Sequence, residues 1–389
     1  MKNKKVLIVT TFDFEGTRWG RNFPLARAFE RNGYDVTMLV TEKRRSLKLY
    51  TVKECEGVKV VCFNAILPFY IRKLPIGLFT LSFVMRVIYA MFHKFDIVYS
   101  DCGETPCSGW PCLVNKWLYG SKYLSEYGDL LGKGGYYDMK SKSYKILFGK
   151  YFLWAIKYFR KKADYVVVLS KVMGEYVEKE MCIAKEKIVL VPGGSLPEKI
   201  EYKLPEKSAG EPIYLGYIGV DDYEITGILP VLNAIRNNFK DKFKVRLFGR
   251  KLSQGVIDKY SLKDIIIECG WVDVIKGQEE VRKCDIFMLM RENLLIGAMG
   301  WPNKLGDYLS YGRPVMISPY GDLVEFVKEY PDGFVLVDRN NDKDVEEKLA
   351  AILDSKINLI EKGEYNRDIA EKVISWDARI AELIKNVNN

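Results

Sequence analysis

Asn303, Lys304 and Asp307 stand close together inside residues 301–318, WPNKLGDYLSYGRPVMIS, and their types suit the binding of an anion and of hydroxyl groups. Pro302 fits the first turn of a helix, where its missing N–H costs nothing. Leu305, Tyr308 and Leu309 fall at i, i+3 and i+4 and give that helix one apolar face. Tyr311 and Gly312 end it, since Gly312 is free to take the left-handed conformation of a C-terminal cap. Residues 314–317, PVMI, read as a short buried strand directly afterwards. Asn303 and Lys304 therefore stand at a helix N-terminus, where unpaired N–H groups and the helix dipole favour an anion. Asp307, one turn further on, can reach sugar hydroxyls beside that anion. The same pattern also suits a capped surface helix with two solvated charges, because short motifs recur by chance.

Further candidates stand at strand ends in the first half. Residues 6–10 read as a buried strand, 22–32 as a helix and 35–40 as the next strand, which makes a βαβ unit. The loop inside it, FDFEGTRWGR, lacks the three-glycine spacing of a dinucleotide fingerprint. Gly16 and Gly20 still offer flexible backbone, and Arg18 and Arg21 bring positive charge to a helix start, which suits a phosphate on a donor or a lipid carrier. Residues 96–100 form the next strand, with Asp101 and Glu104 at its carboxyl end, where ligands of doubly wound sheets collect. Glu126 and Asp129 emerge in the same way after the strand that starts at Lys122. Either carboxylate could orient or deprotonate an acceptor hydroxyl, and either could equally cap a helix or pair with a lysine. Residues 163–170 are a further strand, with Ser170 capping the helix that follows.

These elements need two domains to hold them, since 389 residues exceed the size at which a single core stops growing. Residues 1–194 make the first, 195–212 have the polar, proline-rich composition of a linker, and 213–375 repeat the α/β pattern. A closing helix over about 376–389 is expected to pack back on the first domain. The fold class is α/β, two Rossmann-like domains facing each other across a cleft.

Charge divides along the same boundary. Residues 1–200 hold 33 lysines and arginines against 19 acids (+14), and residues 201–389 hold 27 against 32 (−5). Such asymmetry suits a phosphorylated substrate or an anionic membrane surface. No arginine-rich block or aromatic-glycine signature points to nucleic acid. Residues 66–92 mix Phe, Tyr, Leu and Met with Arg72, Lys73 and Arg86, as an interfacial segment would, although a core helix fits equally well. The chain runs from MKNKK straight into a strand, and its eight cysteines show neither a disulfide framework nor a zinc spacing, so a cytoplasmic, reduced protein is expected. Any imidazole base has to be His93, the single histidine.

Four pieces of the second half resemble the nucleotide-binding domain of GT-B glycosyltransferases, especially the retaining glycosyltransferase family four. They are Tyr217-Ile218-Gly219, the Arg246 to Arg250 run RLFGR, the Glu268 to Val272 run ECGWV, and the PNKLGDYL run that ends in Gly312-Arg313-Pro314-Val315. The resemblance implies transfer of a sugar from a nucleotide diphosphate sugar to a glycan or lipid-linked acceptor at the inner membrane face, with no metal and no cofactor beyond the donor. It places the donor on the second domain, with Gly219, Asn303 and Leu305 in its motifs. Trp271 and Val272 then contact the base, Asp307 binds ribose, and Arg250 and Lys304 meet the diphosphate. Fixed cations there would stabilise the charge growing on the leaving group. The first domain holds the acceptor, through Arg18, Arg21, Asp101 and Glu104, with Glu126 or Asp129 acting on its hydroxyl. Where the family carries a second acid, eight residues before Asp307, this chain has Met299. A nucleotide-sugar epimerase of the same architecture and a non-catalytic nucleotide-sugar-binding scaffold are the alternatives.

Overall fold

The computed structural model describes residues 3–14, 20–42, 48–64, 81–101, 105–205, 210–290 and 295–388. It forms two compact units. One comprises Met1–Pro192, Ala298–Trp301 and Trp376–Asn389, and the other comprises Gly193–Gly297 and Pro302–Ser375.

The first unit is built on eight strands: β1 (Lys5–Asp13), β2 (Asp35–Glu42), β3 (Tyr50–Cys55), β4 (Val58–Asn64), β5 (Ile97–Ser100), β6 (Lys122–Tyr127), β7 (Tyr165–Val168) and β8 (Ile188–Leu190). Their order is β3-β4-β2-β1-β5-β6-β7-β8, and every pair is parallel except β3 with β4. The described helices are α1 (Asn22–Arg31), α2 (Leu81–Phe92), α3 (Thr105–Tyr119), α4 (Lys142–Lys162) and α5 (Lys171–Met181), joined by the closing helix Trp376–Asn388. Helices on both faces explain why β5 and β7 read as unbroken apolar runs rather than alternating ones. Ser170 caps α5 by accepting from Met173 N at 3.0 Å.

Two features of this unit go beyond the sequence expectations. The β3–β4 hairpin was not foreseen; its turn, Glu56-Gly57, has φ of 50° and 78°, both positive as a type I′ turn requires. Arg86, which the sequence left open between lipid headgroups and a core helix, is 1% exposed and takes the second place. Its guanidinium donates to Thr10 O at 2.5 Å, Leu39 O at 3.4 Å and Thr41 Oγ1 at 2.8 Å, so its donors are spent on the ends of β1 and β2. Arg72 and Lys73 lie outside the described residues.

The second unit has six parallel strands: β9 (Ile213–Val220), β10 (Phe243–Gly249), β11 (Ile266–Gly270), β12 (Ile286–Leu289), β13 (Val315–Ile317) and β14 (Phe334–Leu336), in the order β11-β10-β9-β12-β13-β14. Its helices are α6 (Ile225–Asn238), α7 (Gln254–Tyr260), α8 (Gln278–Arg282), α9 (Leu295–Ala298), α10 (Asn303–Ser310), α11 (Leu323–Glu329), α12 (Asp342–Leu353) and α13 (Leu359–Lys372). The chain order reverses between β9 and β12, which makes their carboxyl ends the switch point of the sheet. Residues 195–205, expected as linker, are instead strapped to this unit. Ser195 bridges Ser375, and Arg367 holds Pro197 O and Ile200 O at 2.8 and 2.9 Å. Arg313 holds Lys203 O at 2.7 Å, and Arg282 holds Glu201 O at 3.0 Å. Unpaired carbonyls of an irregular segment need donors, and three arginines provide them.

Candidate functional site

The residues singled out in the second half share one edge of the six-stranded sheet. Gly219 is the last residue but one of β9, Arg250 follows β10 and Trp271 follows β11, so parallel strands deliver all three to the carboxyl edge. Helix α10 precedes β13 and runs back toward that strand's start, which brings its N-terminus, Asn303 and Lys304, to the same edge. Pro302 is the N-cap residue rather than the first helical one, at φ −72° and ψ 109°.

Packing fixes α10 in place. Leu305, Tyr308 and Leu309 are buried, and the Tyr308 ring stacks on Phe287 of β12 with centroids 4.2 Å apart and planes 3° from parallel. The Tyr308 hydroxyl accepts from Ile218 N at 3.0 Å, tying the helix to the end of β9. Gly306 has no room for a side chain, because a Cβ there would lie 2.3 Å from Gly194 O.

Lys304 Nζ donates to the Tyr217 hydroxyl at 3.1 Å and to Glu224 Oε2 at 3.3 Å, and it lies 4.2 Å from the Tyr217 ring centroid. Tyr217 in turn donates to Glu224 Oε2 at 2.5 Å. Glu224 is aimed by Asp221, whose carboxylate accepts from Tyr223 N and Glu224 N at 2.9 and 2.8 Å just before α6. The lysine is mostly enclosed but not sealed, with its side chain 11% exposed and that of Glu224 18%. Gly219 has φ +80°, and a Cβ on it would come 3.7 Å from Lys304 Nζ, so bare backbone faces the ammonium. Tyr217 and Glu224 are the partners that sequence reasoning missed. Tyr217 belongs to one of the four resembling segments and Glu224 to none, and only the fold brings residues 80 and more apart together.

Asp307 is half-buried, and its carboxyl has no hydrogen-bond partner among the described residues. Burial pushes its pKa up to about 7, against the opposing pull of the Lys304 charge. Arg250 is exposed, with only its backbone engaged, N to Val220 O at 3.0 Å. Trp271 is 77% exposed and Val272 half-buried. Met299 is buried, and its carbonyl accepts from Ser170 Oγ at 2.7 Å.

The first unit distributes its candidates differently. Gly16, Arg18 and Glu104 lie outside the described residues. Asp101 is buried just past β5, and Asn22 Nδ2 reaches both its carboxylate at 3.4 Å and Thr10 Oγ1 at 3.1 Å, across the switch point between β1 and β5. Asn22 Oδ1 is buried there without a hydrogen-bond partner. Arg21 and Glu126, expected to meet an acceptor, are instead bonded to each other at 2.6 Å. Arg21 also donates to Val191 O at 2.9 Å and Pro192 O at 3.2 Å and lies 5.2 Å over the Trp376 ring, while Tyr99 donates to Glu126. Burial would lower the arginine pKa, and the Glu126 charge with its hydrogen bond more than offsets it. A pair so enclosed holds the fold. Asp129 is exposed. His93 follows α2 and stacks on Tyr89 at 3.9 Å, before the start of β5 and away from the carboxyl edge. Among the described residues no group of three or more His, Cys, Asp or Glu side chains is placed to hold a metal ion.

Two Rossmann-like parallel sheets, each with candidates at its switch point, define the fold of a GT-B glycosyltransferase. Residues 23–195 match the model of Glycosyltransferase Family 4, and residues 212–355 match that of Glycosyl transferases group 1. The chain belongs to the GT-B glycosyltransferases of the family-four type, which favours the transferase over the epimerase and scaffold readings. Solved structures agree in fold over essentially the full length. Sucrose-phosphate synthase (tll1590) from Thermosynechococcus elongatus superposes with a TM-score of 0.71 at 15% identity, covering 98% of both chains. Alr3699/HepE of Anabaena in complex with UDP-glucose gives 0.64 at 12%, covering 98% of this chain and 99% of that one. WaaG, a glycosyltransferase involved in lipopolysaccharide biosynthesis, gives 0.65 at 11%, covering 97% and 99%. No curated protein sequence matches the chain.

Proposed function

We propose that the second unit binds a nucleotide diphosphate sugar at the switch point of its sheet and that the sugar passes to a glycan or lipid-linked acceptor at the inner membrane face. The observation that carries the reading is Lys304, held at the start of α10 beside the bare backbone of Gly219. A diphosphate there meets an ammonium, the positive end of the helix dipole at the start of α10, and the exposed Arg250. Trp271 and Val272 offer an apolar surface to the base, and Asp307 offers its unpartnered carboxyl to ribose hydroxyls. The UDP-glucose bound by HepE supports a uridine nucleotide as the first donor to test.

In the transfer, the bond between the anomeric carbon and the diphosphate oxygen breaks while the acceptor oxygen bonds to that carbon and loses its proton. The departing diphosphate gains negative charge, which Lys304 and Arg250 would stabilise without a metal. Asp129 is the exposed candidate to receive the acceptor's proton, Glu126 being buried and paired with Arg21. Retention of configuration follows the likeness to family four. The acceptor belongs to the first unit, whose switch point carries Asp101 and the unpartnered Asn22 Oδ1.

A thermal-shift screen against UDP, GDP, ADP and their sugars tests the donor site, because a ligand that binds only the folded chain raises its stability with affinity. We expect one nucleotide series to stabilise the protein and Lys304→Ala to abolish the shift. The reading fails if no nucleoside diphosphate or its sugar stabilises the wild-type chain.

A further inference from the structure

Helices α2, α3 and α4 join β4 to β5, β5 to β6 and β6 to β7, all stepping the same way across the first sheet, so right-handed crossovers lay them side by side on one face. Asn115 of α3 donates to Ala90 O of α2 at 2.6 Å, and Trp110 of α3 meets Tyr158 and Phe159 of α4 at 6.2 and 5.4 Å between centroids.

Two properties of this layer have no structural explanation. The first is its apolar outer surface. On α2, Phe92 is 76% exposed, and Val84 and Ile88 precede it at helical spacing. Trp117 and Leu118 are exposed at the end of α3. Along α4, Ile146 and Leu147 are 81% and 71% exposed, and Trp154 continues their stripe two turns on. The second is charge. The three helices have 12, 15 and 21 residues and contain no aspartate or glutamate, in a chain where those types number 51 of 389; the acids begin with the neighbouring α5, at Glu175, Glu178 and Glu180. Helix α4 alone carries six lysines. A solvated helix normally interleaves both signs, which favours i to i+4 pairing and solubility.

We propose that this three-helix face is where the protein docks on an anionic lipid bilayer, with Ile146, Leu147, Trp154, Trp117 and Phe92 entering the interface and the lysines of α4 lying among the headgroups. Apolar side chains flanked by lysines, with acids excluded, are the chemistry such a surface recognises. A second copy of the chain is a poorer occupant, because lysines would then face lysines. The inference rests on the membrane-face reading above and moves the contact from residues 66–92 as a segment to a face centred on α4. No described helix is long and apolar enough to cross a bilayer.

Co-sedimentation of the full chain tests it, using phosphatidylcholine vesicles with and without phosphatidylglycerol. The protein should pellet only with the anionic vesicles and be released at about 0.5 M salt, where screening shortens to a few ångströms. Ile146→Ser/Leu147→Ser and, separately, Lys142→Glu/Lys150→Glu/Lys161→Glu should each weaken vesicle binding by about tenfold or more. Both variants change exposed side chains, and each should keep the wild-type melting temperature and nucleotide stabilisation. The proposal is overturned if the wild type ignores anionic vesicles, if either folded variant binds them as the wild type does, or if the variants abolish self-association instead. Lost vesicle binding with intact nucleotide stabilisation would bear on this face alone; the reverse pattern would sink the donor site and leave the face standing.

Discussion

Each unit contains a cation, a carboxylate and a tyrosine in contact, and the two sets differ in how much of the cation is left over. In the first unit Arg21 lies 2.6 Å from Glu126, Tyr99 donates to the same carboxylate, and two backbone carbonyls and the Trp376 ring take the rest of the guanidinium. In the second, Lys304 lies 3.3 Å from Glu224 and 3.1 Å from the Tyr217 hydroxyl, with both side chains partly open to solvent. A buried planar fork bonded through all three of its nitrogens fixes structure, whereas a point charge on a flexible stem can change partners. The same three residue types therefore serve as a clamp in one place and as a candidate binding group in the other.

Breaking the first set should have the largest effect. Glu126→Ala strands a buried guanidinium, and urea denaturation should show a loss of about 3–5 kcal/mol. A loss under about 1 kcal/mol would mean the pair is open to solvent, and the contrast with Lys304 would disappear. Lys304→Ala should do the reverse: kcat/KM for sugar transfer falls about 10²–10³-fold as for loss of one charge-stabilising donor. Its stability should change by only about 1 kcal/mol, the worth of an ordinary hydrogen bond. Equal activity in the variant would place the diphosphate elsewhere.

Asp307 sharpens the comparison through pH. Its folded pKa is raised from 3.8 to about 7, so the native state holds the proton longer than the unfolded chain. That contribution to stability is complete below about pH 4 and is lost as the pH rises through about 7. Melting temperature should accordingly fall less steeply over this window in Asp307→Asn. If the ionised carboxylate accepts ribose hydroxyls, UDP-glucose should bind about tenfold more weakly at pH 6 than at pH 8, with proton release measurable by calorimetry in buffers of different ionisation enthalpy. The asparagine variant should flatten that dependence. A pH-independent affinity in the wild type would remove Asp307 from the nucleotide contacts.

The parallel sheets were legible because buried strands are continuous apolar runs: residues 314–317 read as strand, and β13 occupies 315–317. Helix α10 was equally plain, with Gly312 at φ +60° just past its end. The β3–β4 hairpin was missed because its outer strand alternates exposed and half-buried residues instead of forming an apolar run. What an amphipathic pattern could not distinguish was the fate of its charges. Arg86, Arg21 and Glu126 look like surface groups in one dimension, and only the fold supplies the carbonyls and counter-charges that bury them. Asn303, Lys304 and Asp307 could be placed at a helix start because helix-end chemistry is local; Tyr217 and Glu224 belong to another strand and another helix start.

The smallest expected effect concerns Glu224, and it decides what kind of set the second one is. Its carboxylate already neutralises Lys304 in the free protein, so an arriving diphosphate has to share or displace it. Glu224→Gln keeps an acceptor for the Tyr217 hydroxyl while removing the competing charge. Nucleotide affinity should then rise by about two- to fivefold, the range of a partly solvated ion pair. A fall would mean that the carboxylate aims the lysine instead of competing for it, and the second set would be a clamp like the first, differing only in depth. Glu224→Ala separates the two directly: a competing role predicts the same rise, whereas an aiming role predicts a loss of kcat greater than the change in affinity, because a lysine freed to swing can still attract an anion without meeting the leaving oxygen.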